Sequence, residues 1–247
     1  MKTLKAPAVR VVPAVVLVSV TAWMACGGRS TASNPMSPSS SSTSSSGTIC
    51  RTYPTSADVT TTTLGATQGL RLTGAFNTST NQSTVTTLFA NGTPCTTTVG
   101  TYRSTADFVD EVRVVPSVTL QTASTTTNTG TCGSGTSNVT FTYDSQRRLT
   151  AFTSTGAGIV AGTTTYTAWD SSGRPTTGSF PGTTITNVYN DAARTLTQTQ
   201  TPATGGATSV TAVTFDANGI QLMVVNTTGA AVSTTRFTIT STERVCR

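Results

Sequence analysis

Three carboxylates stand close enough together in this sequence to act as a group. Asp107, Asp110 and Glu111 fall within five residues. Carboxylates so placed can divide into the acid and base of a glycosidase or ligate calcium through oxygen. The plainer alternative is a solvated turn whose acids pair with Arg103 or Arg113, with Ser104 placed to cap it and Asp107 three residues on. Composition removes most other chemistries. The chain has no histidine, and its two lysines, Lys2 and Lys5, both lie in the first ten residues. The rest of the chain therefore lacks the parts of a Ser–His–Asp or Cys–His arrangement, a lysine Schiff base or a phosphate-cradling P-loop. Arginine stays protonated and is a poor acid or base. The expectation is a non-catalytic protein with no cofactor. A different class of function, a carbohydrate-binding module, would use aromatic ring faces against sugars, and Tyr53, Tyr102 and Tyr166 are its candidates.

The first residues read as an address. Lys2, Lys5 and Arg10 precede an apolar stretch, Val11 to Ala25, that is shorter than the roughly 20 residues of a membrane-spanning helix and contains Pro13. This is the layout of a secretory signal peptide. The residues around Cys26 resemble the lipobox of bacterial lipoproteins, with Ala25 before the cysteine and Gly27-Gly28 after it; Trp23 departs from the aliphatic residue usual at its position. The resemblance implies cleavage after residue 25 and a lipid on Cys26, holding the protein at a membrane of the cell envelope. Ordinary cleavage after Gly27 would give a secreted protein instead. From Cys26 onward the chain carries twelve arginines against seven aspartates and two glutamates, a net charge of +3. Those arginines are scattered, only Arg147 and Arg148 being adjacent, and no clustered nucleic-acid footprint results.

Residues 26–48 are serine-rich and too poor in apolar side chains to offset the entropy of ordering them. They read as a tether for a domain over 49–247, long enough for a real core. Four further cysteines, Cys50, Cys95, Cys132 and Cys246, form an even set in an export context that permits disulfides. Three pairings are open and the sequence does not choose among them. Cys50 with Cys246 would clamp the two ends of the domain.

The domain is written in threonine. The chain holds 61 threonines and 27 serines, and apolar residues alternate with them, as in Val139-Thr140-Phe141-Thr142-Tyr143. Period two with β-branched and aromatic residues marks half-buried strands. We expect an all-β fold. Four segments repeat an aromatic, then Asp or Asn, then a turn: Tyr143-Asp144 to Arg148, Trp169-Asp170 to Gly173-Arg174, Tyr189-Asn190 to Arg194, and Phe215-Asp216 to Gly219-Ile220. The acid or amide accepts backbone N–H groups at the start of a type I turn, and a left-handed glycine closes the loop. Each unit thus predicts a β-hairpin with its aromatic packed at the entrance of the turn. Phe76-Asn77 to Asn81 and Phe89-Ala90-Asn91-Gly92 are weaker examples.

These units resemble the YD repeats of the RHS family, whose unit reads roughly aromatic-Asp-x-x-Gly-Arg-Leu. Trp169 to Arg174 follows it apart from the tryptophan, and Tyr143 to Leu149 apart from Arg147. The third unit substitutes Asn190 and Ala193, and the fourth has Ile220 in place of arginine. The resemblance covers about residues 137–229 and implies an antiparallel sheet of sequential β-hairpins, a meander, which the four cysteines would staple. Four units are too few for the cargo-enclosing shell of that family. A structural or binding role follows, with envelope glycans or other surface proteins as candidate partners, and exposed sheet edges as a route to self-association.

Overall fold

The computed structural model describes residues 50–110, 120–129 and 132–246. The signal segment, Cys26, the tether, Glu111 and Arg113 lie outside the described residues. The described residues run as a meander of fourteen strands and one short helix: β1 (Cys50–Thr63), β2 (Ala66–Asn77), β3 (Gln82–Phe89), β4 (Pro94–Tyr102), α1 (Thr105–Asp110), β5 (Gln121–Asn128), β6 (Gly135–Tyr143), β7 (Leu149–Gly156), β8 (Gly162–Trp169), β9 (Pro175–Phe180), β10 (Thr183–Asn190), β11 (Thr195–Pro202), β12 (Ser209–Phe215), β13 (Gln221–Thr228) and β14 (Ala231–Cys246). Each strand pairs antiparallel with the next, and β14 returns to pair with β1 from Cys50↔Cys246 to Thr63↔Ser233, which closes a barrel. Every described strand thus has a paired neighbour on both sides over part of its length, while β1 before Ser56 and β14 after Arg236 pair only with each other. The bonds Cys50–Cys246 and Cys95–Cys132 staple the barrel.

Alternation sets what faces inward. In β6, Ser137 and Val139 are buried while Thr136, Asn138, Thr140 and Thr142 are exposed; β8 and β10 follow the same rule, with Thr164 and Tyr166, and Ile185 and Asn187, buried. The outer wall is thus largely threonine. A round barrel of so many strands would be wider than its side chains could fill. Yet the inward positions hold residues as small as Ser83, Ser124, Ser137 and Ser154, all at most 8% exposed, together with the buried Gly100 and Gly178. Small side chains thus line part of the inner face.

One half of the interior is apolar: Val59, Leu72, Val85, Val213, Phe215, Val224 and Phe237 form a cluster with Tyr53, Tyr102 and Phe108. Elsewhere inward amides and hydroxyls, some bonded to one another, such as Gln198 to Asn187 and Thr211 to Asn226, accompany the apolar Val139, Tyr166 and Ile185. The up-and-down order puts all four repeat turns, α1 and the Cys50–Cys246 bond on one rim, called here the turn rim.

Candidate functional site

The turn rim gathers most of the residues that the sequence singles out. In three units the same local geometry recurs. The N–H of Asp144 donates to the carbonyl of Arg148, that of Asp170 to Arg174 and that of Asp216 to Ile220, at 3.1, 2.9 and 2.8 Å. Each aspartate Oδ1 then accepts two backbone N–H groups from its own loop: Gln146 and Arg148, Ser172 and Arg174, Asn218 and Ile220. The loop ends on a left-handed residue, Arg147 (φ 62°), Gly173 (φ 77°) or Gly219 (φ 76°).

The third unit is built differently. Asn190 pairs with Thr195, so its loop is one residue longer, and Arg194 rather than Ala193 adopts positive φ, 52°. The side chain of Asn190 accepts the Ala193 N–H. Phe76-Asn77 to Asn81 uses this same longer form, with Asn81 at φ 52° and Asn77 accepting from Ser79 and Thr80.

Neighbouring units are joined by a contact that the sequence reading lacked. The arginine after one turn binds its own aspartate and covers the aromatic of the next unit. Arg148 Nε donates to Asp144 at 2.6 Å and its guanidinium lies 4.6 Å over Trp169. Arg174 Nε donates to Asp170 at 2.6 Å, its Nη1 reaches Asp191 at 2.6 Å, and it lies 4.4 Å over Tyr189. The aromatic in turn donates to the backbone beside the preceding turn: Trp169 Nε1 to the Leu149 carbonyl at 3.0 Å and the Tyr189 hydroxyl to the Pro175 carbonyl at 2.9 Å. Tyr143 extends the series by donating to the Gln121 carbonyl at 2.7 Å. Of the four repeat aromatics only Phe215 is a core residue; Tyr143, Trp169 and Tyr189 are half-buried. The legible signal for the ladder was the arginine four residues after Asp144 and Asp170.

Charge at these turns follows from the same contacts. The Arg148 backbone N–H, reinforced by its guanidinium, holds the Asp144 carboxyl below the usual carboxylate range. Burial pushes the Asp170 carboxyl up, but the Arg174 N–H and guanidinium outweigh it, and the group also lies below its ordinary value. The Arg148 and Arg174 guanidinium groups are each engaged by a carboxylate and a ring, which ties neighbouring turns together.

The remaining candidates are placed as follows. Ser104 caps α1, its hydroxyl accepting the Asp107 N–H at 3.1 Å. Asp107 gives one oxygen to Arg103 at 3.1 Å and the other to Arg147, which also approaches Asp110 at 3.8 Å. Both oxygens of Asp107 face guanidinium groups, as in a paired turn. Tyr53, Tyr102 and Tyr166 are 0%, 3% and 8% exposed. They present no ring face to a sugar: inward alternation carried them into the barrel. The Tyr53 hydroxyl donates to Glu243 at 2.6 Å, and Tyr166 lies against Gly178, where the missing Cβ gives its ring room.

Among the described residues, no helix is long and apolar enough to cross a membrane. No protein-family model matches the chain, and a search of curated proteins finds no significant match.

Proposed function

We propose that this is an exported cell-envelope protein, anchored by a lipid on Cys26, that displays a stapled β-barrel on a serine-rich tether in a structural or binding role. The observation that carries the reading is the cysteine assignment. Cys50–Cys246 and Cys95–Cys132 use four of the five cysteines, and the one left over is Cys26, which sits at the end of the apolar leader. Disulfides belong to oxidising compartments, which agrees with export. The outer wall supports a water-facing barrel, since a lipid-facing one carries an apolar band where this one carries threonine. The turn rim, with Arg148 and Arg174 engaged by carboxylates and rings, supports a structural role.

The test is the intact mass of the protein extracted from membranes, before and after reduction. Acyl mass on a chain beginning at Cys26, with a gain of four hydrogens on reduction, is the expected result. An unmodified chain cleaved near Gly27 would overturn the anchor and leave a secreted protein.

A further inference from the structure

We infer that the first and last residues of the barrel form a lid over its turn rim, latched by the Cys50–Cys246 bond and released when that bond is reduced. The strand pairings isolate the lid. β2 pairs with β1 only from Ser56↔Thr73 onward, and β13 pairs with β14 only as far as Met223↔Arg236. The five pairs from Cys50↔Cys246 to Pro54↔Thr242 are thus a two-stranded ribbon without a further strand on either side. Register shifts at Pro54/Ser56 and Ser56/Ala57 separate it from the rest of the β1–β14 ladder and supply a hinge. A lone two-stranded ribbon is marginal in water.

What lies under the ribbon explains why it is held down. Arg51 and Tyr53 are fully buried and Val245 is 8% exposed. They close over α1: the Tyr53 ring meets Phe108 edge-on at 5.5 Å, and the Arg51 guanidinium lies 4.1 Å over the same ring. Arg51 also donates to the Phe108 carbonyl at 2.7 Å. Beneath, Phe108 stacks on Phe76 at 3.7 Å and meets Tyr102 edge-on at 5.3 Å. Ribbon and helix therefore cap an aromatic floor inside the barrel. Cys246, at the ribbon's tip, is exposed, while Cys95 of the other bond is buried.

Release is an exchange with a dithiol reductant. One thiolate of the dithiol attacks the exposed Cys246 sulfur, and the bond to Cys50 breaks with Cys50 leaving as a thiolate. The second thiol then displaces Cys246 from the mixed disulfide. Two electrons and two protons pass to the protein, and the dithiol ends as a disulfide.

Hydrogen exchange read by mass spectrometry tests the lid on the full chain, by mild dithiol reduction of folded protein and separately in a Cys50→Ser/Cys246→Ser variant. The expected result is exchange faster by on the order of tenfold or more in peptides covering 50–54, 105–110 and 242–246, with β3 to β12 unchanged. A Cys95→Ser/Cys132→Ser variant should leave the three lid peptides as they were. Unchanged lid exchange in both reduced protein and seam variant would overturn the proposal. So would uniform loss of protection across all strands, which would make the bond a staple of the whole barrel. Neither result bears on whether Cys26 carries a lipid.

Discussion

Replacing Arg174 by alanine removes a guanidinium that two repeat turns share. Its side chain is 8% exposed and bonds Asp170 and Asp191, each at 2.6 Å, while its face covers Tyr189 at 4.4 Å. Breaking a buried ion pair from one side commonly costs about 3–5 kcal/mol. Here the cost is smaller for a visible reason. Asp191 is 53% exposed and regains water, and Asp170 keeps the N–H groups of Ser172 and Arg174 on its other oxygen. The lost ring contact and the packing of the arginine stem add to the deficit. We expect a net destabilisation of about 2–3 kcal/mol, a melting point lower by roughly 5–10 °C for a domain of this size. Urea unfolding followed by circular dichroism, with both disulfides intact, should show a lower midpoint at unchanged slope. Arg148→Ala is the internal comparison: it has the same position in its unit, but its side chain is 36% exposed and it bonds one carboxylate, so its loss should be clearly smaller. Combining Arg174→Ala with Asp191→Asn should give a coupling above about 0.5 kcal/mol. A loss for Arg174→Ala under about 0.5 kcal/mol, or equal to that of Arg148→Ala, would refute the view that burial of the shared guanidinium stabilises the rim.

Other expectations follow from single atoms. Gly173→Val forces a branched residue to φ 77° and brings its Cβ to 3.3 Å from Arg148; a loss of about 1–3 kcal/mol is expected, and a midpoint shift near zero would count against the hairpin turn. Gly178→Ala places a methyl 2.6 Å from the Tyr166 ring and 2.7 Å from the Thr165 carbonyl, so ring and backbone must both shift and the protein should lose about 1–3 kcal/mol of stability; an unchanged melting point would mean that the ring does not pack on Gly178. Burial pushes the Tyr166 hydroxyl up to about 12. The folded state then keeps a proton that the unfolded chain releases near pH 10, so this group's contribution is complete below that pH and is lost as pH rises toward 12. Tyr166→Phe should flatten the fall in urea midpoint across that window, and an identical fall in the variant would show the hydroxyl to be solvated.

Local rules made much of this protein readable. Period-two alternation of threonine with Val, Phe and Tyr specifies strands because successive side chains point to opposite faces, and the Asp-x-x-Gly turns specify hairpins because their bonds span only four residues. An all-β meander follows from these, as does the repeat of aromatic and turn along 143–220. Even so, a one-residue change is not legible locally: the pattern makes Asn190 to Ala193 another copy of the short turn, whereas the loop lengthens so that Arg194 takes the left-handed place. The choice among three cysteine pairings, the burial of Tyr53, Tyr102 and Tyr166, and the stacking of Arg148 and Arg174 on the next unit's ring were decided by tertiary structure. Each depends on which strands become neighbours and on which face of the sheet becomes the inside. β1 meets β14 across a separation of 196 residues, and no local pattern encodes that meeting; it is fixed when the accumulated register of fourteen strands brings the last beside the first, and with it the barrel acquires an interior.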